Sequence, residues 1–204
     1  MDPRQRGVTS FFTAASRLYD FPPLQAWIYR PTQDAVVEVL RQRQPRRILD
    51  VACGTGQLTS RIADELRPER IVGCDASPGM LAQARKRSSD VEWMEGTAEH
   101  LPFDNDTFDA VITTEAFHWF DQPVALADFR RVLDPGGVLV IGVMTPTSPS
   151  AARAWSFLGM AQWPTADRLP DLLAGAGFTI VEQFKAARAF GPALSSLVTI
   201  AEPT

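Results

Sequence analysis

Three stretches carry residues whose types and spacing suit chemistry. In "ILDVACGTGQLT", an apolar run ends in an acid, Asp50, and is followed by a turn holding Gly54 and Gly56 and then by a helix-like segment. Glycines at such a turn permit positive φ and let a ligand touch the backbone. Twenty-five residues after Asp50, "RIVGCD" ends in a second acid, Asp75, placed to accept hydrogen bonds from both hydroxyls of a ribose. In "TTEAFHWFD", His118 stands among three aromatics and two carboxylates at the end of another apolar run. The only other histidine, His100, sits in the loop-like "AEHLPF".

The first stretch discriminates between nucleotides. A nicotinamide-dinucleotide fingerprint reads G-x-G-x-x-G, and here Thr59 occupies the place of the third glycine. The dinucleotide pattern also has no carboxylate four residues before its first glycine, where this chain has Asp50. A carboxylate there serves an ammonium better than a pyrophosphate, which points to an amino-acid-bearing nucleoside, S-adenosylmethionine. Two weaker readings stay open: a dehydrogenase, and a cofactor-binding sensor of the same fold without catalysis.

The elements that must position these residues follow from periodicity. Strands are expected at 46–52, 70–75, 91–95, 108–114 and 138–144, alternating with helices at 57–67, 77–87 and 123–133. Ser77 reads as an N-cap with Pro78 at the first helical position, and "DPGG" reads as the close of the third helix. Such alternation indicates a parallel sheet covered by helices on both faces, an α/β Rossmann-like doubly wound fold. A helix at 166–177 and two successive strands at 178–184 and 195–201 predict a hairpin, and so one antiparallel strand on the sheet. The chain reads as a single domain: residues 1–45 a helical lid, 46–144 the cofactor-binding core, 145–165 a short cap over the acceptor, and 166–204 the helix and hairpin.

In composition the chain is ordinary for a globular protein, with 204 residues, 45% hydrophobic and 22% charged. A net charge of −4 argues against a nucleic-acid partner. Cys53 and Cys74 each adjoin or interrupt an apolar run and read as buried thiols. No apolar stretch approaches the roughly 18 residues of a membrane span, and the first 21 residues lack a signal-peptide core. The expected location is cytoplasmic.

Taken jointly, "ILDVACGTGQLT", "IVGCDASPGMLAQAR", "EGTAEHLPFDNDTFDAVITTEAFHWF", "RVLDPGGVLVI" and "LLAGAGF" make the chain resemble the class I S-adenosylmethionine-dependent methyltransferases of the type 11 group, which includes ubiquinone and menaquinone C-methyltransferases. The resemblance runs from about 46 to 178. It implies that Asp50 and the backbone around Ala52, Gly54 and Gly56 hold the methionyl part, with the Thr114 backbone near its amino group. It implies Asp75 on the ribose, Ala76 and Met80 on adenine, and Thr97, Ala98 and Glu99 along the adenine edge. Many relatives have an aspartate where this chain has Thr97. Tyr19 matches a tyrosine that closes over the cofactor in many relatives, or else packs on the core.

The resemblance also places His118 beside the transferable methyl group. There it would act as a general base for a hydroxyl, orient the acceptor, or pack structurally, with Glu115 or Asp121 orienting the imidazole. An acidic phenol or a carboxylate acceptor would need no base. Aromatic walls are available from Phe11, Phe12, Trp27, Tyr29, Trp155, Phe157, Met160 and Trp163. Such platforms suit sugars as well as flat rings. The compact length is similar to that of sugar O-methyltransferases that cap methylmannose polysaccharides, so the first expectation is O-methylation of a sugar hydroxyl on a small-molecule or oligosaccharide acceptor. The alternative is O- or C-methylation of a phenolic or quinone-like molecule. No metal is expected, since methyl transfer needs none in principle.

Overall fold

The structure, a computed structural model, describes residues 7, 9, 10, 12, 13, 29–146, 168–187 and 194–204. Seven strands form one sheet: β1 (Arg47–Val51), β2 (Arg70–Asp75), β3 (Glu92–Glu95), β4 (Phe108–Thr114), β5 (Leu133–Pro146), β6 (Phe178–Ala187) and β7 (Leu194–Pro203). Their order is β3-β2-β1-β4-β5-β7-β6. β1 through β5 pair in parallel, while β7 runs antiparallel to both β5 and β6. The expected doubly wound sheet with one reversed strand is therefore present.

Alternation along the central strands sends side chains to two cores. Leu49 and Val51 of β1 pack with Val111 and with α4 (Gln122–Val132) and α5 (Leu169–Gly175). Ile48 packs on the opposite face with Ile112 and with α1 (Arg30–Arg43) and α2 (Gln57–Leu66). Both faces of the central strands are thus dry, as near-continuous apolar strands require. Asp50 shares the phase of Ile48 and so points toward α2, into the core rather than away from it.

α3 (Pro78–Arg87) begins as the sequence reads: the Ser77 hydroxyl accepts the Met80 N–H at 3.2 Å, with Pro78 in the first turn. "DPGG" differs from expectation. α4 ends at Val132, and these four residues form an irregularity inside the opening of β5, between the Phe108–Leu133 and Ala110–Val138 pairs. Gly137 is needed there, because a Cβ would lie 2.7 Å from the Leu133 side chain and 3.0 Å from the Asp109 carbonyl. Asp134 is pinned by Arg47. Pro followed by two glycines reads as a helix stop, and pairing with β4 overrides the local preference.

Among the described residues no helix is long and apolar enough to cross a membrane. Tyr19, Phe11, Trp27 and the aromatic residues of the 145–165 cap lie outside the described residues.

Candidate active site

The chain reverses its winding between β1 and β4, which are neighbours in space. A crevice opens at the carboxyl ends of strands at such a point. Here both strands finish on a residue other than glycine in the left-handed region, Ala52 at φ 58° and Glu115 at φ 54°. Such angles are costly for L residues and concentrate at functional sites. The cleft between them encloses about 810 Å³ of space, part of it open to solvent.

On one side the cleft is lined by Ala52, Gly54, Asp75, Ala76 and Met80. Asp75 is half-buried, and its two oxygens accept the N–H groups of Gly54 and Ser77, each at 2.8 Å. Burial raises its pKa, and the two backbone donors oppose that rise. Each carboxylate oxygen has a second lone pair, so Asp75 can still accept from two vicinal hydroxyls. Thr97, Ala98 and Glu99 form the next wall. Their backbone turns tightly, His100 N–H donating to the Thr97 carbonyl at 3.1 Å, and Glu99 is tied to the start of α4 through the Asp121 N–H at 3.0 Å. His100 is exposed.

Asp50 is 1% exposed and is not among the residues that line the cleft. Its Oδ2 accepts from the Thr59 hydroxyl at 2.6 Å, while Oδ1 is buried with no hydrogen-bond partner among the described residues. Burial pushes its pKa up to about 7. Thr59, which breaks the dinucleotide pattern, therefore has a local task.

Gly56 needs a correction. Its N–H is used by the Cys53 carbonyl at 3.0 Å, and a Cβ there would meet the Trp93 ring at 2.4 Å. It starts α2 at φ 76°, but the indole and the turn, rather than cleft contact, demand the glycine.

The far side holds Thr114, Glu115, Ala116, Trp119 and Phe120. Glu115 is buried, and its carboxylate accepts from the Thr32 hydroxyl and from the Met144 N–H, both at 2.8 Å. Burial raises it to about 7, with these two bonds pulling the other way. The expectation that Glu115 orients His118 is not met: its carboxylate is held by α1 and β5, and no hydrogen bond joins it to the imidazole.

The expectation for His118 also changes. Residues Phe117–Trp119 form a 3-10 turn, in which successive side chains point about 120° apart. Trp119 is the one that lines the cleft. The His118 side chain is 3% exposed and packs 4.7 Å from the Trp119 ring, centroid to centroid. Burial lowers its pKa to about 3, which makes it a weak proton acceptor near neutrality.

Sequence reasoning missed Thr9 and Thr13, and named Phe12 only as one of the aromatic walls. Thr9 and Phe12 line the cleft from the N-terminal side, and Phe12 meets Trp119 edge-on at 5.9 Å. Phe12 was among the candidate aromatics, but its partner was not foreseen. Thr13 bonds Ser77 at 2.8 Å, and Gly79 leaves room for it, because a Cβ there would lie 2.8 Å from the Thr13 carbonyl.

Comparison with known proteins bears on the family and the fold. The sequence profile of the family described as "Methyltransferase domain" matches residues 48–137. A malonyl-[acyl-carrier protein] O-methyltransferase of Hahella chejuensis is 35% identical over 152 residues, 72% of this chain and 53% of that protein; the chain thus spans about half of its length. A demethylmenaquinone methyltransferase of Thermus thermophilus is 32% identical over 175 residues, 71% of this chain and 79% of that protein. Among solved structures, geranyl diphosphate C-methyltransferase of Streptomyces coelicolor A3(2), in complex with Mg2+, geranyl-S-thiolodiphosphate and S-adenosyl-L-homocysteine, superposes with a TM-score of 0.78 over 100% of this chain and 99% of that one. At 12% identity that likeness speaks to the fold alone.

The chain belongs to the S-adenosylmethionine-dependent methyltransferases. Its residues fit that cofactor on their own terms: Asp75 retains acceptor capacity for a ribose, and the orphaned oxygen of Asp50 suits a cationic group.

Proposed function

We propose that this methyltransferase acts on a flat, largely apolar acceptor of phenol or quinol type, at oxygen or at ring carbon, with Glu115 as proton acceptor. The observation that carries the reading is the Glu115 carboxylate, buried and raised to about 7, in a part of the cleft wall that also holds Ala116, Trp119, Phe120 and Phe12 beside the small residues Thr9 and Thr114. Bound S-adenosylmethionine supplies an electrophilic methyl group and a thioether leaving group. The chain contributes the rest. Asp75 takes the ribose hydroxyls, Ala76 and Met80 pack on adenine beside Thr97, Ala98 and Glu99, and Asp50 provides negative charge beneath the amino-acid part. The aromatic wall aligns the ring and excludes water.

A phenol or quinol must shed its O–H proton as it becomes nucleophilic. The proton passes to a Glu115 oxygen. At oxygen, the freed pair forms the bond to methyl as the methyl–sulfur bond breaks; at ring carbon, the pair is delocalised into the ring, carbon takes the methyl as that bond breaks, and the same carbon then loses its ring proton to restore the aromatic ring. A carboxylate titrating near 7 is matched to that task. The name of the Thermus thermophilus relative, demethylmenaquinone methyltransferase, supports an acceptor of this kind. A sugar hydroxyl, the first expectation from the sequence, depended on His118 as base, and that side chain lies off the cleft wall. Neither curated relative described above is named for a sugar acceptor.

The test is transfer of labelled methyl to a panel of quinols, phenols, short carboxylic acids and mannosides. Transfer to a quinol or phenol is expected, rising with pH through about 7, where Glu115 ionises. Glu115→Gln should lower kcat by about 100-fold or more, the usual size of a general-base contribution. Labelling of acids or mannosides alone, untouched by the substitution, would overturn the reading.

A further inference from the structure

The Glu115 carboxylate is held by residues distant in the chain. Oε1 takes its proton donor from Thr32, 83 residues earlier, and Oε2 from the backbone of Met144 in β5. Thr32 is fully buried in the first turn of α1. It reaches the sheet because residue 142 is glycine: a Cβ there would lie 2.5 Å from the Thr32 methyl. The same Gly142 accepts the Glu115 N–H at 2.7 Å. Thus α1, the end of β4 and β5 converge on one carboxyl group.

We propose that Thr32 is a positioning residue for methyl transfer, its hydroxyl fixing the Glu115 carboxylate and making the docking of α1 a condition of proton acceptance. This rests on the reading of Glu115 as the proton acceptor. A glutamate has three side-chain torsions, and one bond to each oxygen fixes the carboxylate while leaving a lone pair on each for the acceptor. A hydroxyl donor also favours the charged form against burial. Among the described residues, the other titratable groups of the cleft and of α1 stand apart from this contact. Asp75 and Glu99 line other parts of the cleft, and His118 packs on Trp119. Asp50 is bonded to Thr59. On α1, Arg30 and Asp34 pair with each other at the surface. Among the described residues, burial, Thr32 and Met144 are what shift Glu115.

The test needs no knowledge of the natural acceptor. Infrared difference titration of the full chain follows the carboxyl band that is missing in Glu115→Gln, in the parent, Thr32→Val, Thr32→Ser and Gly142→Ala. In Thr32→Val the midpoint should rise by about one pH unit, the usual order for one hydrogen bond to a charged form. With 1,4-dihydroxynaphthalene as probe, the acid limb of kcat should move with it while KM for S-adenosylmethionine holds. Thr32→Ser should restore both. Gly142→Ala, which displaces Thr32 without removing its hydroxyl, should mimic Thr32→Val and serves if that variant misfolds. A folded Thr32→Val or Gly142→Ala with unchanged midpoint and profile overturns the proposal, as does a serine variant no better than valine. If Glu115→Gln transfers methyl as fast as the parent, the proton-acceptor reading fails and this proposal falls with it; an inactive Glu115→Gln beside an unshifted Thr32→Val sinks this proposal alone.

Discussion

Burial of Asp50 carries a cost that depends on pH. Its pKa is raised to about 7 by burial, whereas in the unfolded chain an aspartate ionises near 3.9. Between those two values the unfolded state has released its proton and the folded state still holds it. The unfolded state then binds fewer protons, so the contribution of Asp50 to stability falls as pH rises through this window and levels off above about 7. Asp50→Asn keeps an oxygen for Thr59 and removes the titration. Its melting temperature relative to the parent should climb from pH 5 to pH 8 in the absence of ligand, and a flat difference would show that Asp50 does not titrate there. The chemistry-bearing acids were legible because each ends an apolar run that can only be a strand, and strand ends in this fold meet at one crevice. The partner of Glu115 was not legible, since nothing within 83 residues of chain links it to Thr32. The burial of His118 was not legible for a local reason: a sequence marks the end of a strand, but not which of three residues in a 3-10 turn faces the cleft.

The glycines of the elements show where packing, rather than a ligand, dictates the residue. Gly73 in β2 has the Trp93 ring at 2.4 Å from where a Cβ would stand and the Cys53 sulfur at 3.0 Å. The indole cannot yield easily, because its N–H donates to the Ser88 carbonyl at 3.0 Å and holds the ring in place. Gly73→Ala should therefore lower stability by about 1–3 kcal/mol, the usual cost of overpacking, read as a drop in the urea midpoint at unchanged m-value. An unaltered midpoint would mean that the ring moves freely. Most strands were legible from their apolar runs, and the reversal of β7 followed from two strands with no helix between them. The exception is the opening of β5, where "DPGG" has the composition of a stop and the geometry of a bulge held by Arg47.

For the whole molecule, the fold and the cleft together predict selective stabilisation. S-adenosyl-L-homocysteine at 100 times its Kd should add about 2.7 kcal/mol, or roughly 5–10 °C in Tm for a chain of this size. A nicotinamide dinucleotide at the same concentration should add nothing, and equal shifts would count against the site described. The strand order has a further outcome for biosynthesis. β6 touches the sheet only through β7, which follows it in the chain yet inserts between it and β5. A ribosome delivers β6 before the strand that must separate it from its apparent neighbour. The flank of β5 therefore stays open for about 50 residues of elongation and is closed by a late, long-range pairing of the slow kind. A chaperone that shields bare strand edges would have its natural point of action there, on the half-made sheet.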